Sequence, residues 1–394
     1  MPHTLAEAAR EMAAQLVTWR RHIHAHPELS GQEEQTARFV TAELRRIGYQ
    51  PVERVGRTFG VTARLDAGSG EAVAVRADMD ALPVTEETGV EFASRNPGVM
   101  HACGHDAHVA MLLGAAQLLA QQKGKLRHPV VLIFQPSEET SPGGALPMIE
   151  AGVLDGVARI FGLHVWSEMP LGTLGTRVGP FMSAVSNIEI TVTGKGGHAA
   201  MPQQCIDPII VAAETVLALQ TAVSRSIAMT DNAVVSVTQV HAGTANNVLP
   251  GTAALGGTIR TLSEAVRSTV ETRVREIAVG VAQAHGATAA VEIRRGYPAL
   301  INDRLTVERA LAAARSLGFP EDRLLTLPAQ GGGEDFAYYA QKAPAAFLFL
   351  GARNDAKGCN HPHHHPRFNI DEDALPLGAA LLAQFALHAG EAST

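Results

Sequence analysis

Cysteine is scarce in this chain of 394 residues, which has three, at positions 103, 205 and 359. Three scattered cysteines do not make a disulfide framework, so we expect a reducing compartment, the cytoplasm. A basic surplus is also missing, because 32 Lys and Arg stand against 39 Asp and Glu. No apolar run approaches the roughly 18 residues of a membrane span, and the N-terminus lacks the features of a signal peptide. We therefore expect neither nucleic acid nor a membrane as a partner.

What the chain does have is a pattern that changes along its length. Up to about residue 184, and again after Pro298, apolar runs alternate with helical patterns, as in a mainly parallel α/β sheet with helices on both faces. Between these parts, one-sided strands and two helices follow the order β-α-β-β-α-β of a ferredoxin-like α+β unit. We predict an α/β catalytic domain in two parts, 1–184 and 298–394, interrupted by an inserted domain over 185–297.

Residues that commonly bind metals gather where predicted strands end. Glu138 and Glu139 close the apolar run 129–139, and His164 lies near the end of 158–166. Ligands of open α/β sheets bind at the carboxyl ends of the strands. Asp78 and Asp80 close the apolar run 72–80. The remaining candidates lie in the segments that follow predicted strands or near the C-terminus: His101, Cys103, His105, Asp106, His108, His361, His363, His364 and His365.

Each of these groups alone has an ordinary explanation. A glutamate pair can cap a helix, and His164 can be a hydrogen-bonded core histidine. Together in a dry cleft, however, several carboxylates need a cation among them. Thiolate, imidazole and carboxylate ligands suit zinc, manganese, nickel or cobalt, so we predict a divalent metal site.

The adjacent glutamates predict a division of labour. One carboxylate can bind metal while its neighbour accepts the proton of an activated water. If Glu138 and Glu139 continue the strand 129–139, their side chains point to opposite faces, which would separate the two roles.

The motifs resemble those of the hippurate hydrolase and auxin-conjugate (IAA-amino acid) amidohydrolase branch of the aminoacylase/carboxypeptidase metallo-hydrolases. The resemblance runs in order over nearly the whole chain. The matching motifs are HIHAHPELS (22–30), RADMDALP (76–83), MHACGHDAH (100–108), QPSEE (135–139), GLHVW (162–166), GKGGHAAMP (194–202), GTANNVLPG (243–251), GTIRT (257–261), GGEDFAYY (332–339) and HHPRFNIDE (364–372).

The resemblance implies one or two divalent ions per subunit, held by Cys103, His105, Glu139, His164 and His364. His363 and His365 adjoin the last of these, and the H-x-P-x-F spacing favours His364. The resemblance also implies that Glu138 is the general base. It gives Asp78 the task of orienting a ligand histidine.

The inserted domain resembles the dimerisation or lid domain of this family. His198 matches a histidine that stabilises the oxyanion, in the wider superfamily from the partner subunit. Asn247 and Arg260 match residues that hold the carboxylate of the substrate, although Arg260 alone is also explained as a surface charge on a strand. The resemblance implies a homodimer or homotetramer formed through this domain.

The expected activity is cleavage of a small-molecule N-acyl amino acid into a carboxylic acid and a free amino acid. A carboxypeptidase or dipeptidase acting on peptides would use the same chemistry and differ only in its pocket. A non-catalytic metal-binding protein is a third alternative, and Glu138 argues against it. A Cys/His protease with Cys103 as the nucleophile is disfavoured by the many other ligand-type residues nearby.

Overall fold

The structure is a computed structural model that describes residues 4–388. The chain divides into two compact units. The catalytic unit contains the described residues up to Phe181, residues 301–328, and those from Asp335 onward. The inserted unit contains Met182–Leu300 and Ala329–Glu334. The domain boundaries predicted at 184 and 297 stay a prediction. Across residues 4–388, no helix is both long and apolar enough to cross a membrane.

The elements are numbered in chain order. The α-helices of the described residues are α1 (Leu5–Glu11), α2 (Ala13–Ala25), α3 (Glu34–Ile47), α4 (His105–Gln121), α5 (Ala145–Glu150), α6 (Pro208–Leu219), α7 (Thr221–Ser224), α8 (Glu264–Ala284), α9 (Arg304–Ser316), α10 (Ala337–Ala340) and α11 (Ala374–His388). The strands are β1 (Val52–Val55), β2 (Gly60–Leu65), β3 (Ala72–Asp78), β4 (Val130–Gln135), β5 (Val157–Pro170), β6 (Leu174–Thr176), β7 (Gly179–Met182), β8 (Ala184–Thr193), β9 (Gly197–His198), β10 (Ala233–Ala242), β11 (Val248–Leu249), β12 (Thr252–Thr261), β13 (Thr288–Arg295), β14 (Leu300–Asn302), β15 (Leu324–Thr326) and β16 (Ala345–Arg353).

The catalytic unit is built on a sheet with the strand order β1-β2-β4-β3-β5-β16-β6-β15. Its centre, β4-β3-β5-β16, is parallel. β3 and β4 are buried at every position, as expected for strands covered on both faces. In β16, Leu348 joins the core formed with α4 and α11, whereas Phe347 points the other way and packs on Phe336.

The inserted unit has a sheet with the strand order β10-β12-β8-β13, in which every pair is antiparallel. Along β8, buried positions alternate with more exposed ones, and α6 and α8 pack against the buried side. The chain order β8-α6-β10-β12-α8-β13 with this strand order is the ferredoxin-like arrangement. The predicted fold class, a mainly parallel α/β domain with a ferredoxin-like insertion, is therefore confirmed.

Strand β4 is shorter than the apolar run 129–139 suggested. It ends at Gln135, and Pro136 follows, which has no N–H for a strand ladder. Ser137 then adopts a left-handed conformation with φ 57°. Glu138 and Glu139 consequently lie in a turn, so the expectation that strand alternation separates their side chains is wrong.

Candidate metal centre

Neighbouring strands of the parallel sheet bring the candidate ligands to one edge. Asp78, the last residue of β3, pairs with Gln135, the last residue of β4. On its other side β3 pairs with β5, where Arg76 faces Gly162, two residues before His164. The turn after β4, the start of α4 with the residues just before it, and the segment between β16 and α11 supply the remaining groups of the catalytic unit. The strand ends thus form the kind of edge at which α/β sheets bind ligands.

Five side chains form two connected groups. The Sγ of Cys103 lies 3.5 Å from the Nε2 of His164. The Oε1 of Glu139 lies 3.8 Å from the Nε2 of His105 and 3.4 Å from the Nε2 of His364. The ligand atoms of Cys103, His105 and His164 all lie within 4.8 Å of one another, and so do those of Cys103, Glu139 and His364. Two groups that share one thiol could hold two neighbouring ions.

Two buried atoms of this cluster show that it fits a cation. Among residues 4–388, neither the Nε2 of His105 nor the Oε1 of Glu139 has a hydrogen-bond partner. The Nδ1–H of His105 donates to the backbone oxygen of Asp80 at 2.9 Å, and that of His164 donates to Val165 at 2.6 Å. These bonds leave the Nε2 lone pairs of both rings for a metal. A divalent cation would satisfy atoms that are otherwise costly to bury.

The charges around the cluster also favour a cation. Burial raises the pKa of the Cys103 thiol well above its ordinary value, and the carboxylates of Glu139 and Glu138 raise it further. Burial lowers the pKa of His105, but the carboxylates of Asp78, Asp80 and Glu139 outweigh it and raise that pKa to about 10. A bound cation would oppose both effects, since it favours a thiolate and a neutral imidazole.

The histidine tract contributes one side chain to this cluster. His363 turns inward, where its Nε2–H donates to the backbone oxygen of Val165 at 3.0 Å. The Nδ1 of His365 accepts the N–H of Arg367 at 3.0 Å. His364, with φ 66°, is the residue of the tract whose ring reaches Glu139. These contacts favour His364 over its neighbours as a ligand.

Asp80 holds the acidic turn and is a residue to which sequence reasoning gave no role. Its Oδ1 accepts the N–H of Glu138 and its Oδ2 accepts the N–H of Glu139, each at 3.0 Å. The same carboxylate lies 3.3 Å from the Nδ1 of His105. The carboxyl group of Glu138, whose residue is 6% exposed, lies within 4.8 Å of the ligand atoms of His105 and Glu139. The sequence signal that could have pointed to Asp80 is its position as the second acid of the RADMD motif (76–80).

Asp78 makes different contacts from those expected. It accepts the Nδ1–H of His108 at 2.5 Å and forms an ion pair with Arg76. The Nε2 of His108 is in turn occupied by the N–H of Val165 at 2.9 Å. Burial raises the pKa of Asp78, but Arg76 and the two histidines, His105 and His108, together hold that pKa well below its ordinary value. The orienting bond to a predicted ligand, His105, therefore comes from Asp80, whereas Asp78 orients His108.

The inserted unit brings together two of its three predicted site residues. His198 in β9 is exposed and pairs with Val248 of β11, while the N–H of Ala199 donates to the backbone oxygen of Asn247 at 3.1 Å. The Nδ1 of His198 accepts the N–H of Ala200 at 3.0 Å, so the proton of a neutral ring lies on Nε2. Arg260 is half-buried in β12, and burial lowers its pKa.

Several known proteins and one family profile match most of this chain. Thermostable carboxypeptidase 1 of Saccharolobus solfataricus is 42% identical over 385 residues, covering 96% of this chain and 97% of its own length. The N-acyl-L-amino acid amidohydrolase of Geobacillus stearothermophilus is 47% identical over 292 residues, covering 74% and 79%. The crystal structure of the YXEP protein of Bacillus subtilis, described as a dinuclear metal-binding peptidase of the M20 family, is 37% identical with a TM-score of 0.83, covering 96% and 98%. Residues 74–388 match the profile of Peptidase family M20/M25/M40, and the chain belongs to this family.

Proposed function

We propose that this protein is a metal-dependent amidohydrolase that cleaves N-acyl amino acids to a carboxylic acid and a free amino acid. The observation that carries the proposal is the cluster of Cys103, His105, Glu139, His164 and His364, which lies beside a further carboxylate, Glu138, and is buried except at His364 and, in part, at Glu139. The family membership and the N-acyl-L-amino acid amidohydrolase relative support it. The substrate is a small molecule.

The five ligand side chains would hold one or two divalent ions. A cation bound there would polarise the amide carbonyl and lower the pKa of a water molecule. Two groups sharing Cys103 support two ions, with zinc, manganese, nickel and cobalt all compatible with these ligands. The dinuclear relative of similar fold supports the same count.

Glu138 is the proposed general base. Its carboxyl group would take the proton of the attacking water and return it to the leaving nitrogen, so that the amide C–N bond breaks to give an acid and an amine. Asp80 fixes the backbone on which this carboxyl group stands. No covalent nucleophile is needed, and Cys103 serves as a ligand.

The inserted unit is proposed to complete the site. The Nε2–H of His198 would donate to the developing oxyanion, and Arg260 and Asn247 would hold the carboxylate of the amino-acid part. We propose that the protein is a homodimer or homotetramer through this unit and that His198 acts in the partner's site. A cytoplasmic location stays a prediction.

A second candidate function is carboxypeptidase or dipeptidase activity. It is favoured by the thermostable carboxypeptidase, which is 42% identical and matches 96% of this chain. The catalytic chemistry would be unchanged, because a peptide bond and an N-acyl bond are both amides. The two functions differ in the acyl part that the pocket accepts.

The test is a substrate panel with the metal-reconstituted enzyme. Zinc, manganese, nickel and cobalt forms would be assayed on benzoyl, acetyl and aromatic-acyl amino acids and on dipeptides with the same C-terminal residues. The proposal predicts higher kcat/KM on the N-acyl amino acids, and Glu138→Gln serves as the inactive control. Preference for dipeptides would establish the second function, and a metal-loaded protein inert on the whole panel would contradict both.

A further inference from the structure

A short N-terminal segment, residues 28–33, contacts the turn that carries the acidic pair. The Oε1 of Glu33 accepts the N–H of Ser137 at 2.8 Å and its Oγ–H at 3.1 Å. From the same segment, the Oγ–H of Ser30 donates to Asp80 at 2.7 Å. The proposed mechanism uses neither Glu33 nor Ser30. Glu33 nevertheless binds Ser137, the residue just before the acidic pair. Ser30 binds Asp80, whose carboxylate accepts the backbone N–H groups of that pair.

Ser137 has a backbone conformation that its surroundings must maintain. Its φ of 57° lies in the left-handed region, where residues other than glycine are uncommon. Three successive N–H groups of this turn are bound by carboxylates: that of Ser137 by Glu33, and those of Glu138 and Glu139 by Asp80. Two carboxylates thus fix the path of the chain into the acidic pair.

The environment of Glu33 shows that this contact has a cost. Its residue is 0% exposed, and its second oxygen, Oε2, has no hydrogen-bond partner within residues 4–388. Burial, with a smaller contribution from the charge of Asp80, raises the pKa of Glu33 to about 7 although backbone N–H groups oppose the shift. A buried carboxyl group with one unpartnered oxygen is unfavourable for the fold by itself. Apart from the nearby N–H of Gly31, its hydrogen bonds go to Ser137.

We propose that Glu33 is a positioning residue: by holding the left-handed turn at Ser137, it sets the directions of the Glu138 and Glu139 carboxylates. The proposal rests on the proposed amidohydrolase function. Glu33 acts through Ser137 and touches no reacting atom. Because a displacement of about 1 Å at a catalytic group can cost ~10²-fold in rate, Glu33→Ala should lower kcat about 10- to 100-fold while KM changes less than about threefold.

Two further variants separate position from charge. Glu33→Gln keeps an oxygen at the place of Oε1, so its kcat should stay within about threefold of wild type. Glu33→Asp keeps the charge but shortens the side chain by one methylene, which withdraws the acceptor from Ser137, so it should resemble Glu33→Ala. Glu28→Ala is the matched control. Glu28 also accepts three hydrogen bonds, from the N–H of Gln35 and from the N–H and Oγ–H of Thr36 in α3.

The readouts are kcat, KM, the thermal unfolding temperature and the absorption spectrum of the cobalt-loaded protein, which reports the geometry of the ligand cluster. Loss of kcat and an altered cobalt spectrum in Glu33→Ala and Glu33→Asp, but not in Glu33→Gln or Glu28→Ala, supports the proposal. Equal losses of kcat in Glu33→Ala and Glu28→Ala, at similar unfolding temperatures, overturn it. If Glu33→Ala does not fold, Glu33→Asp and Glu33→Gln decide, and equal kcat in these two overturns it.

Failure of the proposed function is distinguishable from failure of this inference. A wild-type protein without amidohydrolase activity would contradict the function, yet the cobalt spectra would still be informative. An altered spectrum in Glu33→Asp alongside an unaltered one in Glu33→Gln would support the positioning of Glu139. An unaltered spectrum in Glu33→Asp would overturn it.

Discussion

At the scale of single residues, the two adjacent glutamates differ in what surrounds them. The Oε1 of Glu139 faces the Nε2 atoms of His364 and His105 at 3.4 and 3.8 Å, which is the environment of a ligand. For Glu138 we expect the role of base. Glu138→Gln should therefore retain the fold and the metal while kcat falls by roughly 10²–10⁴, the usual contribution of general acid–base catalysis. Kinetics together with metal analysis on the purified variant would measure this.

Glu139→Gln is the matched control, because it changes the neighbouring carboxylate in the same way. It should weaken metal binding, so that added metal restores part of its activity. Full activity in Glu138→Gln would rule out the assignment of the base. Metal loss in Glu138→Gln equal to that in Glu139→Gln would mean that both carboxylates are ligands.

Cys103 allows a second prediction at this scale. As a metal-bound thiolate it should resist alkylation in the loaded protein and become labelled after chelation, slowly because the residue is 9% exposed. Labelling would be followed by peptide mass spectrometry. Cys205, which is partly exposed, should react equally in both states, and Cys359, which is 3% exposed, should react in neither. Equal labelling of Cys103 with and without metal would exclude it as a ligand.

Residue types could be predicted from the sequence, whereas contacts made through the backbone could not. The ligand set followed from motifs in which the side chains themselves carry the chemistry. Asp80 and Glu33 act on N–H groups 58 and 104 positions away, and nothing in the sequence identifies which N–H groups a carboxylate will accept. The hydrogen bond of Asp78 to the side chain of His108, with His105 at 3.7 Å, was hidden for a different reason: the sequence does not say which of two nearby histidines a carboxylate binds.

At the scale of elements, the segment leading into α3 affects how stability depends on pH. The pKa of Glu33 is raised to about 7, above its ordinary 4.5, so the folded protein binds this proton more tightly than the unfolded chain does. The contribution of this bound proton to the stability of the fold is complete below about pH 4.5 and is lost as the pH rises to about 7. At 1.36 kcal/mol per pKa unit, the loss is at most about 3 kcal/mol.

Glu33→Gln removes this titration while mimicking the protonated acid. The stability of wild type relative to Glu33→Gln should therefore decrease between pH 5 and pH 7.5. Unfolding temperatures of the two proteins, measured at both pH values with the same metal loading, would reveal the change. A constant difference across this range would show that the Glu33 pKa is not raised.

Element boundaries were harder to predict than element types, and β4 shows why. Its apolar run correctly indicated a buried strand, but the strand ends at Gln135 because Pro136 and the left-handed Ser137 turn the chain. The N-terminal helical stretch likewise divides at Met12 into α1 and α2. Hydrophobic periodicity reports the face that is buried, whereas these breaks depend on local backbone conformation.

At the scale of the whole molecule, the predicted functional residues lie in both compact units. The ligand cluster and Glu138 belong to the catalytic unit, and His198, Asn247 and Arg260 belong to the inserted unit. In the sequence, the change from two-sided to one-sided strands predicts an inserted domain, and its boundaries stay a prediction. Which subunit supplies His198 to a given site cannot be read from hydrophobic patterns, because they are identical in every copy of the chain.

Subunit complementation tests the proposal that His198 acts across a dimer. His198→Ala should lose roughly 10²–10³ in kcat, as expected for one oxyanion donor, and Glu138→Gln should be inactive for lack of a base. After exchange of subunits between the two variants, half of the dimers are mixed, and each mixed dimer has one site with both groups intact. Activity should therefore recover to about a quarter of the wild-type value. No recovery, with exchange demonstrated by mass spectrometry of differently labelled chains, would mean that His198 serves its own chain. An active His198→Ala homodimer would instead mean that His198 only packs within its loop, because removing an oxyanion donor would have lowered kcat.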